Sequence, residues 1–276
     1  MIKYFLIFML LILTSIVLLV LYLKDDSKAL LSATIAVSPT FIPTSIPTPS
    51  PFPTLTPTPS VVLKKSTYSI AIFGDSMVDT MGEELEHLEI SLSAKYPKTR
   101  FSFYNYGIGG QNIEQGLSRF ESSFVNRERN FPPLPVLSPD VLILGSFAYN
   151  PFSTHDRNKH YTLLHQLVAK AKIVSSHVYL LAEIAPLKTG FGEGKNGVNM
   201  APDAAYQHAL NIIEQLDNVI NLSTSENIPL INAYHESRTD GAFGDPYLVN
   251  KDDGIHPSEE GHRFMADFIV NSIKLE

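Results

Sequence analysis

Apolar positions fall into two regimes along this chain. From Tyr4 to Leu23 the side chains are apolar and uncharged, with only Thr14 and Ser15 as clearly polar interruptions. Beyond residue 64, short apolar runs alternate with longer amphipathic stretches. The runs are YSIAIF (Tyr68–Phe73), Phe101–Asn105, VLIL (Val141–Leu144), VYLLAE (Val178–Glu183) and IPLIN (Ile228–Asn232). Their length and near-continuous apolarity suit strands buried on both faces. Between them, helical spacing predicts helices over Thr80–Leu92, Asn112–Ser122, His160–Val174, Pro202–Asn221 and Ser258–Ile273. Strands separated by helices imply parallel βαβ units. The expected fold class is therefore α/β, a three-layer α/β/α sandwich around a five-stranded parallel, doubly wound sheet. Sites in such sheets lie at the carboxyl ends of the strands.

The first regime reads differently. At ~1.5 Å per residue, a helix over Tyr4–Leu23 covers roughly 30 Å, the hydrocarbon thickness of a bilayer. A secretory signal has a shorter apolar region and a small-residue cleavage site, whereas here Lys24-Asp25-Asp26 follows directly. Residues 1–24 are expected to be an uncleaved transmembrane signal anchor; the alternative is a cleaved signal processed near Ser32-Ala33. Residues 25–63 are expected to be a Pro/Thr-rich linker, since Pro and Thr alternate almost continuously from Ser38 to Ser60. Proline removes backbone donors and fixes φ, so this stretch favours an extended spacer of up to on the order of 70 Å. It could carry O-glycans or be a plain tether. The folded domain is expected over 64–276. A single-pass membrane protein with that domain outside the cytoplasm follows, or a secreted one if the N-terminal segment is cleaved.

Composition narrows the chemistry. The chain has no cysteine, which excludes disulfides, thiolate metal sites and cysteine nucleophiles. Its net charge of −7, with no basic stripe, argues against a nucleic-acid partner.

Two motifs carry the candidate chemistry. The first apolar run ends in Gly74-Asp75-Ser76, and the last stretch holds Asp253-Gly254-Ile255-His256-Pro257. Together they supply a nucleophile, a base and a carboxylate to orient the base, which is what serine chemistry needs. A competing reading makes Ser76 the N-cap of a helix near Asp79. Another makes Asp253-Gly254 a plain turn. A zinc site from Asp253, His256 and His262 is conceivable, but a helix would scatter those ligands, and no metal or cofactor is expected. His155, His160 and His165, five residues apart, do not share one helical face.

These motifs resemble four blocks of the SGNH (GDSL-type) serine hydrolases. The blocks are Gly74-Asp75-Ser76, the turn Asn105–Gly110, an Asn after the third strand, and Asp253-x-x-His256. The resemblance spans roughly Ser69 to Ile273 and implies a flavodoxin-like sheet. Family members are esterases, lipases, thioesterases and carbohydrate deacetylases. It implies Ser76 as nucleophile, His256 as general base and Asp253 as its orienting carboxylate, with Asp75 shaping the turn and Asp252 a bystander. The implied oxyanion hole is made of N–H groups from Ser76, Gly110 and Asn150. The third block departs from the usual Gly-x-Asn: Asn150 comes five residues after Gly145, which leaves Ser146 as a substitute. The expected activity is ester hydrolysis through an acyl-enzyme. The substrate would be an acylated glycan or a lipid, and deacetylation of a cell-surface carbohydrate is preferred from location and family analogy. Alternatives are an acyltransferase, lipase or thioesterase with the same triad, or a non-catalytic glycan-binding module. The Gly-rich segment Pro186–Pro202 reads equally as a substrate-facing loop or a solvated connector.

Overall fold

The computed structural model describes residues 63–275. The expected anchor over 1–24 and nearly all of the linker over 25–63 lie outside the described residues. Among the described residues, no helix is long and apolar enough to cross a membrane.

Five strands form one parallel sheet in the order β2-β1-β5-β6-β7: β1 (Thr67–Gly74), β2 (Arg100–Gly107), β5 (Val141–Gly145), β6 (His177–Ala182) and β7 (Leu230–Asn232). All five coincide with apolar runs in the sequence. The central β5 is buried at every position, so its run shows no alternation.

Helices cover both faces. On one, α2 (Glu86–Lys95) packs against α8 (Glu259–Ser272). On the other, α5 (Arg157–Val174) packs between α3 (Ile113–Arg119) and α6 (Pro202–Glu226). The β2-β1-β5 order reverses the direction of strand addition at β1. The crevice between the carboxyl ends of β1 and its neighbours is thus the switch point where such sheets bind ligands.

One predicted helix is broken. Instead of a helix over Thr80–Leu92, a four-residue α1 (Ser76–Asp79) is followed by a turn, and α2 starts at Glu86. Within that turn Gly82 and Leu85 both adopt positive φ, +94° and +55°. Asn105, on β2, decides the break. Its Nδ2 donates to the carbonyls of Val78 (2.8 Å) and Gly82 (2.6 Å), acceptors that a continuing helix would use. The Asn112 helix begins one residue later, with Asn112 and Gln115 forming a reciprocal cap. The sixth helix runs to Glu226, past the expected Asn221. Small elements that the sequence pattern does not predict are two hairpins, β3–β4 (Phe124–Asn126, Arg129–Phe131) and β8–β9 (Arg238–Asp240, Phe243–Gly244). With them go the short helices α4 (Leu134–Leu137) and α7 (Ala233–Glu236) and a 3-10 turn at Pro246–Leu248.

Candidate active site

The strand β1 delivers Gly74, Asp75 and Ser76 to the sheet's carboxyl edge. Asp75, not Ser76, is the N-cap of α1: its Oδ1 accepts the Met77 N–H at 3.0 Å, and Ser76 is the first helical residue. Ser76 opens onto a cleft of about 480 Å³ that it shares with Gly109, Gly110, Tyr149, Asn150 and His256.

The C-terminal motif folds as one tight turn. Asp253 Oδ1 accepts the backbone N–H groups of Ile255 (2.7 Å) and His256 (2.9 Å), and its Oδ2 pairs with His256 Nδ1 at 3.0 Å. With Nδ1–H directed to the carboxylate, Nε2 is the basic ring nitrogen. Asp252 points elsewhere and pairs with Lys195 at 3.0 Å. The x-x spacing thus selects the acid that reaches the imidazole. His262 stands apart inside α8, where burial pushes its ring down to about 4. Among the described residues, no cluster of three or more His, Asp or Glu side chains is arranged to hold a metal ion. His155 and His165 pair separately with Glu214 (2.8 Å) and Glu226 (3.2 Å), while His160 is buried against the Ser146 carbonyl (2.9 Å).

Asn150 reaches the cleft despite its late position. Its Nδ2 donates to Asp75 Oδ2 at 2.9 Å, which leaves the second amide hydrogen for the cleft. The neighbouring Tyr149 hydroxyl anchors the loop by donating to the Ile184 carbonyl at 2.7 Å. Ser146, the substitute, is only 1% exposed, and its Oγ accepts the Ala148 N–H at 3.0 Å. It faces the interior and does not line the cleft. Gly110 has φ +75°, and a Cβ there would meet nothing within 4 Å. Its backbone conformation, not space, is what favours glycine.

The segment Pro186–Pro202 does line the cleft: Phe191, Val198 and Met200 join Ile255 in an apolar wall. It is also laced to the histidine turn. Gly192 N–H donates to Gly254 O at 3.1 Å, and Asn196 N–H to Asp252 O at 2.8 Å.

Two ionisable groups beneath the site, Glu183 and Arg119, have no counterpart in the motif reading. Glu183, at the end of β6, is fully buried. Its Oε1 accepts the Ser146 N–H at 2.9 Å, and its Oε2 has no partner among the described residues. Burial, with the Asp75 charge adding to it, pushes Glu183 up to about 8. Burial also raises Asp75, opposed by the bonds from Asn150 and Met77. With a value of about 8, Glu183 holds a proton at neutral pH. Arg119 lies buried between Phe73 and Phe124, 4.2 and 4.9 Å from their ring centroids, and donates to the Gly74 carbonyl at 2.6 Å. Burial lowers its guanidinium to about 9, still protonated at pH 7. A lone acid closing an apolar strand was a legible signal for Glu183; nothing local marks Arg119.

The GDSL-like Lipase/Acylhydrolase family model matches residues 70–269, most of the chain. The chain belongs to the GDSL-like lipase/acylhydrolase family. A GDSL acylhydrolase is a carboxylic-ester hydrolase, and this one carries the parallel α/β sheet of its class. Similar solved structures include a GDSL-like lipase from Bacteroides thetaiotaomicron, 15% identical with a TM-score of 0.54, covering 74% of this chain and 86% of that one. The acetyl xylan esterase AlAXEase is 18% identical with a TM-score of 0.53, over 75% of this chain and 100% of that chain. A point mutant of an acetyl-xylooligosaccharide esterase from Geobacillus is 15% identical with a TM-score of 0.52, over 79% and 97%. At these identities the likeness concerns the fold. No curated protein matches the chain in sequence.

Proposed function

We propose that this GDSL acylhydrolase cleaves its ester through Ser76, His256 and Asp253, and that its substrate is an acetylated carbohydrate outside the cytoplasm. The observation that carries the reading is the His256–Asp253 pair, 3.0 Å apart, on the same cleft as Ser76. His256 Nε2 takes the Ser76 proton as Oγ attacks the ester carbonyl. The oxyanion is held by N–H groups of Ser76, Gly110 and Asn150. The tetrahedral intermediate expels the alcohol, which leaves with the proton from His256. Water activated by the same ring then hydrolyses the acyl-enzyme, releasing the acid and free Ser76. Among the described residues Ser76 Oγ has no hydrogen-bond partner; nucleophile–base bonds commonly tighten only with substrate bound.

The acetyl preference is supported by the names of two fold neighbours, an acetyl xylan esterase and an acetyl-xylooligosaccharide esterase. The extracytoplasmic location rests on the apolar run Tyr4–Leu23 and the Pro/Thr-rich stretch behind it. A second reading, longer acyl chains, is favoured by the apolar wall of Phe191, Val198, Met200 and Ile255.

Hydrolysis of p-nitrophenyl acetate, butyrate and octanoate by the full chain and its Ser76→Ala variant separates these. Serine-dependent turnover confined to acetate supports deacetylation, and turnover that rises with chain length supports the lipid reading. Full activity in Ser76→Ala refutes the nucleophile.

A further inference from the structure

A second groove, of about 700 Å³, adjoins the cleft. It lies between the start of α3 and the run Phe152–Lys159 that leads into α5. The two cavities are neighbours: Asn112 lines both, and the chain passes from Asn150 and Pro151 in the cleft directly to Phe152 in the groove. None of the ester-cleaving groups lies in it.

Its chemistry contrasts with the apolar wall across the cleft. Asn112 spends its Oδ1 on capping α3, accepting from Glu114 N (3.0 Å) and Gln115 N (3.1 Å). Its Nδ2 has no partner among the described residues and is a free donor where the cavities meet. Ser153 and Thr154 are exposed in the same region, with no partner among the described residues. Arg157 gives Nε to Asn218 Oδ1 at 3.2 Å and acts on the Asp217 carboxyl through its charge, but forms no close ion pair among the described residues. Phe152 is half-buried, with Lys159 Nζ 4.4 Å from its ring centroid and held there by Glu114 at 2.9 Å.

A half-buried aromatic ring among amide, hydroxyl, guanidinium and carboxylate groups suits a ligand with apolar C–H faces and many hydroxyls. An acyl chain in the same place would leave those polar groups without partners, whereas the opposite wall accepts one without that cost. An ester has an acyl half and an alcohol half, and the cleft offers one surface for each.

We propose that this groove is the subsite for the alcohol half of the substrate and binds the sugar rings of an O-acylated oligosaccharide. The acyl group then lies against Phe191, Val198, Met200 and Ile255. The inference rests on the Ser76 hydrolase reading and adds the part of the substrate that the triad does not touch.

The test compares a short O-acetylated xylo-oligosaccharide, and a matching chito-oligosaccharide ester, with p-nitrophenyl acetate, which has no sugar. Full-length Arg157→Ala and Phe152→Ala proteins are expected to lose roughly tenfold or more in the ratio of kcat/KM for oligosaccharide to that for p-nitrophenyl acetate, equivalent to ~1.4 kcal/mol of binding. The loss should fall mainly on KM. An unchanged ratio in both variants overturns the subsite. So does a wild type that cleaves p-nitrophenyl acetate and neither oligosaccharide, although the hydrolase reading then stands. Turnover of p-nitrophenyl acetate that survives Ser76→Ala would instead defeat the hydrolase reading. Calorimetric titration of unacetylated xylo-oligosaccharide into the Ser76→Ala protein provides a check independent of turnover. Binding that weakens with a further Arg157→Ala change supports the subsite, and no binding overturns it.

Discussion

Asn150 Nδ2 donates to Asp75 Oδ2 across 2.9 Å, tying the loop after β5 to the residue before Ser76. One buried carboxylate therefore caps α1 through Oδ1 and aims the Asn150 amide through Oδ2. The five-residue delay between Gly145 and Asn150 is absorbed by a loop whose far end is pinned at this bond and at the Tyr149–Ile184 contact.

Asn150→Ala is expected to remove an oxyanion donor and to leave Asp75 Oδ2 buried without its partner. Turnover of p-nitrophenyl acetate should drop by roughly 10²–10³. Thermal or urea unfolding should show a loss of ~1–3 kcal/mol. Unchanged turnover in a destabilised protein would reduce Asn150 to a structural link.

Asp253→Asn tests the orienting carboxylate. The amide can still accept the Ile255 and His256 N–H bonds, but it offers the imidazole a donor as readily as an acceptor, which disturbs the tautomer. By analogy with serine-protease triads, kcat should fall by up to roughly 10⁴ with little change in KM. A drop of less than tenfold would mean that the His256 tautomer is set by something else.

Gly194 is where the Gly-rich loop meets the histidine turn. It has φ +143°, and a Cβ there would lie 2.3 Å from the Asp252 carbonyl oxygen. Gly194→Ala must push the 252–256 turn or the loop itself, since backbone gives way less easily than a side-chain end. The expected outcome is a lower kcat for every ester tested and a lower melting temperature. An unaffected kcat would show that the His256 position does not depend on this loop.

Glu183 sets a pH dependence of stability. Its folded-state value of about 8 lies above the ordinary 4.5, so the folded chain holds a proton that the unfolded chain releases between those values. That contribution is complete below about pH 4.5 and is lost as pH rises through about 8. Glu183→Gln stays neutral and keeps the acceptor for the Ser146 N–H. Denaturant titrations should show wild type losing stability relative to Glu183→Gln between pH 5 and 8, by a few kcal/mol at ~1.4 kcal/mol per pKa unit. Parallel stability curves would mean that Glu183 is ionised in the fold.

The sequence by itself determined the sheet and one turn. Five apolar runs became five parallel strands, and for the inner β1, β5 and β6 the signal is clearest, because burial on both faces demands continuous apolarity. Asp253-x-x-His256 determined its own geometry, since both side chains project from one turn that its own Asp253 Oδ1 bonds close.

Tertiary structure decided what depends on distant partners. The helix expected over Thr80–Leu92 breaks because Asn105, on another strand, takes the Val78 and Gly82 carbonyls. The choice between Ser146 and Asn150 turns on which one finds the cleft, and that is fixed by Asp75, 75 residues away along the chain. Composition leaves the Gly-rich Pro186–Pro202 segment open between a substrate-facing loop and a solvated connector; its Phe191, Val198 and Met200 wall the cleft because its glycines let backbone lie on backbone at the histidine turn. Periodicity encodes which side chains are buried. It carries no information on which remote donor meets which acceptor, and the site is made of those pairings.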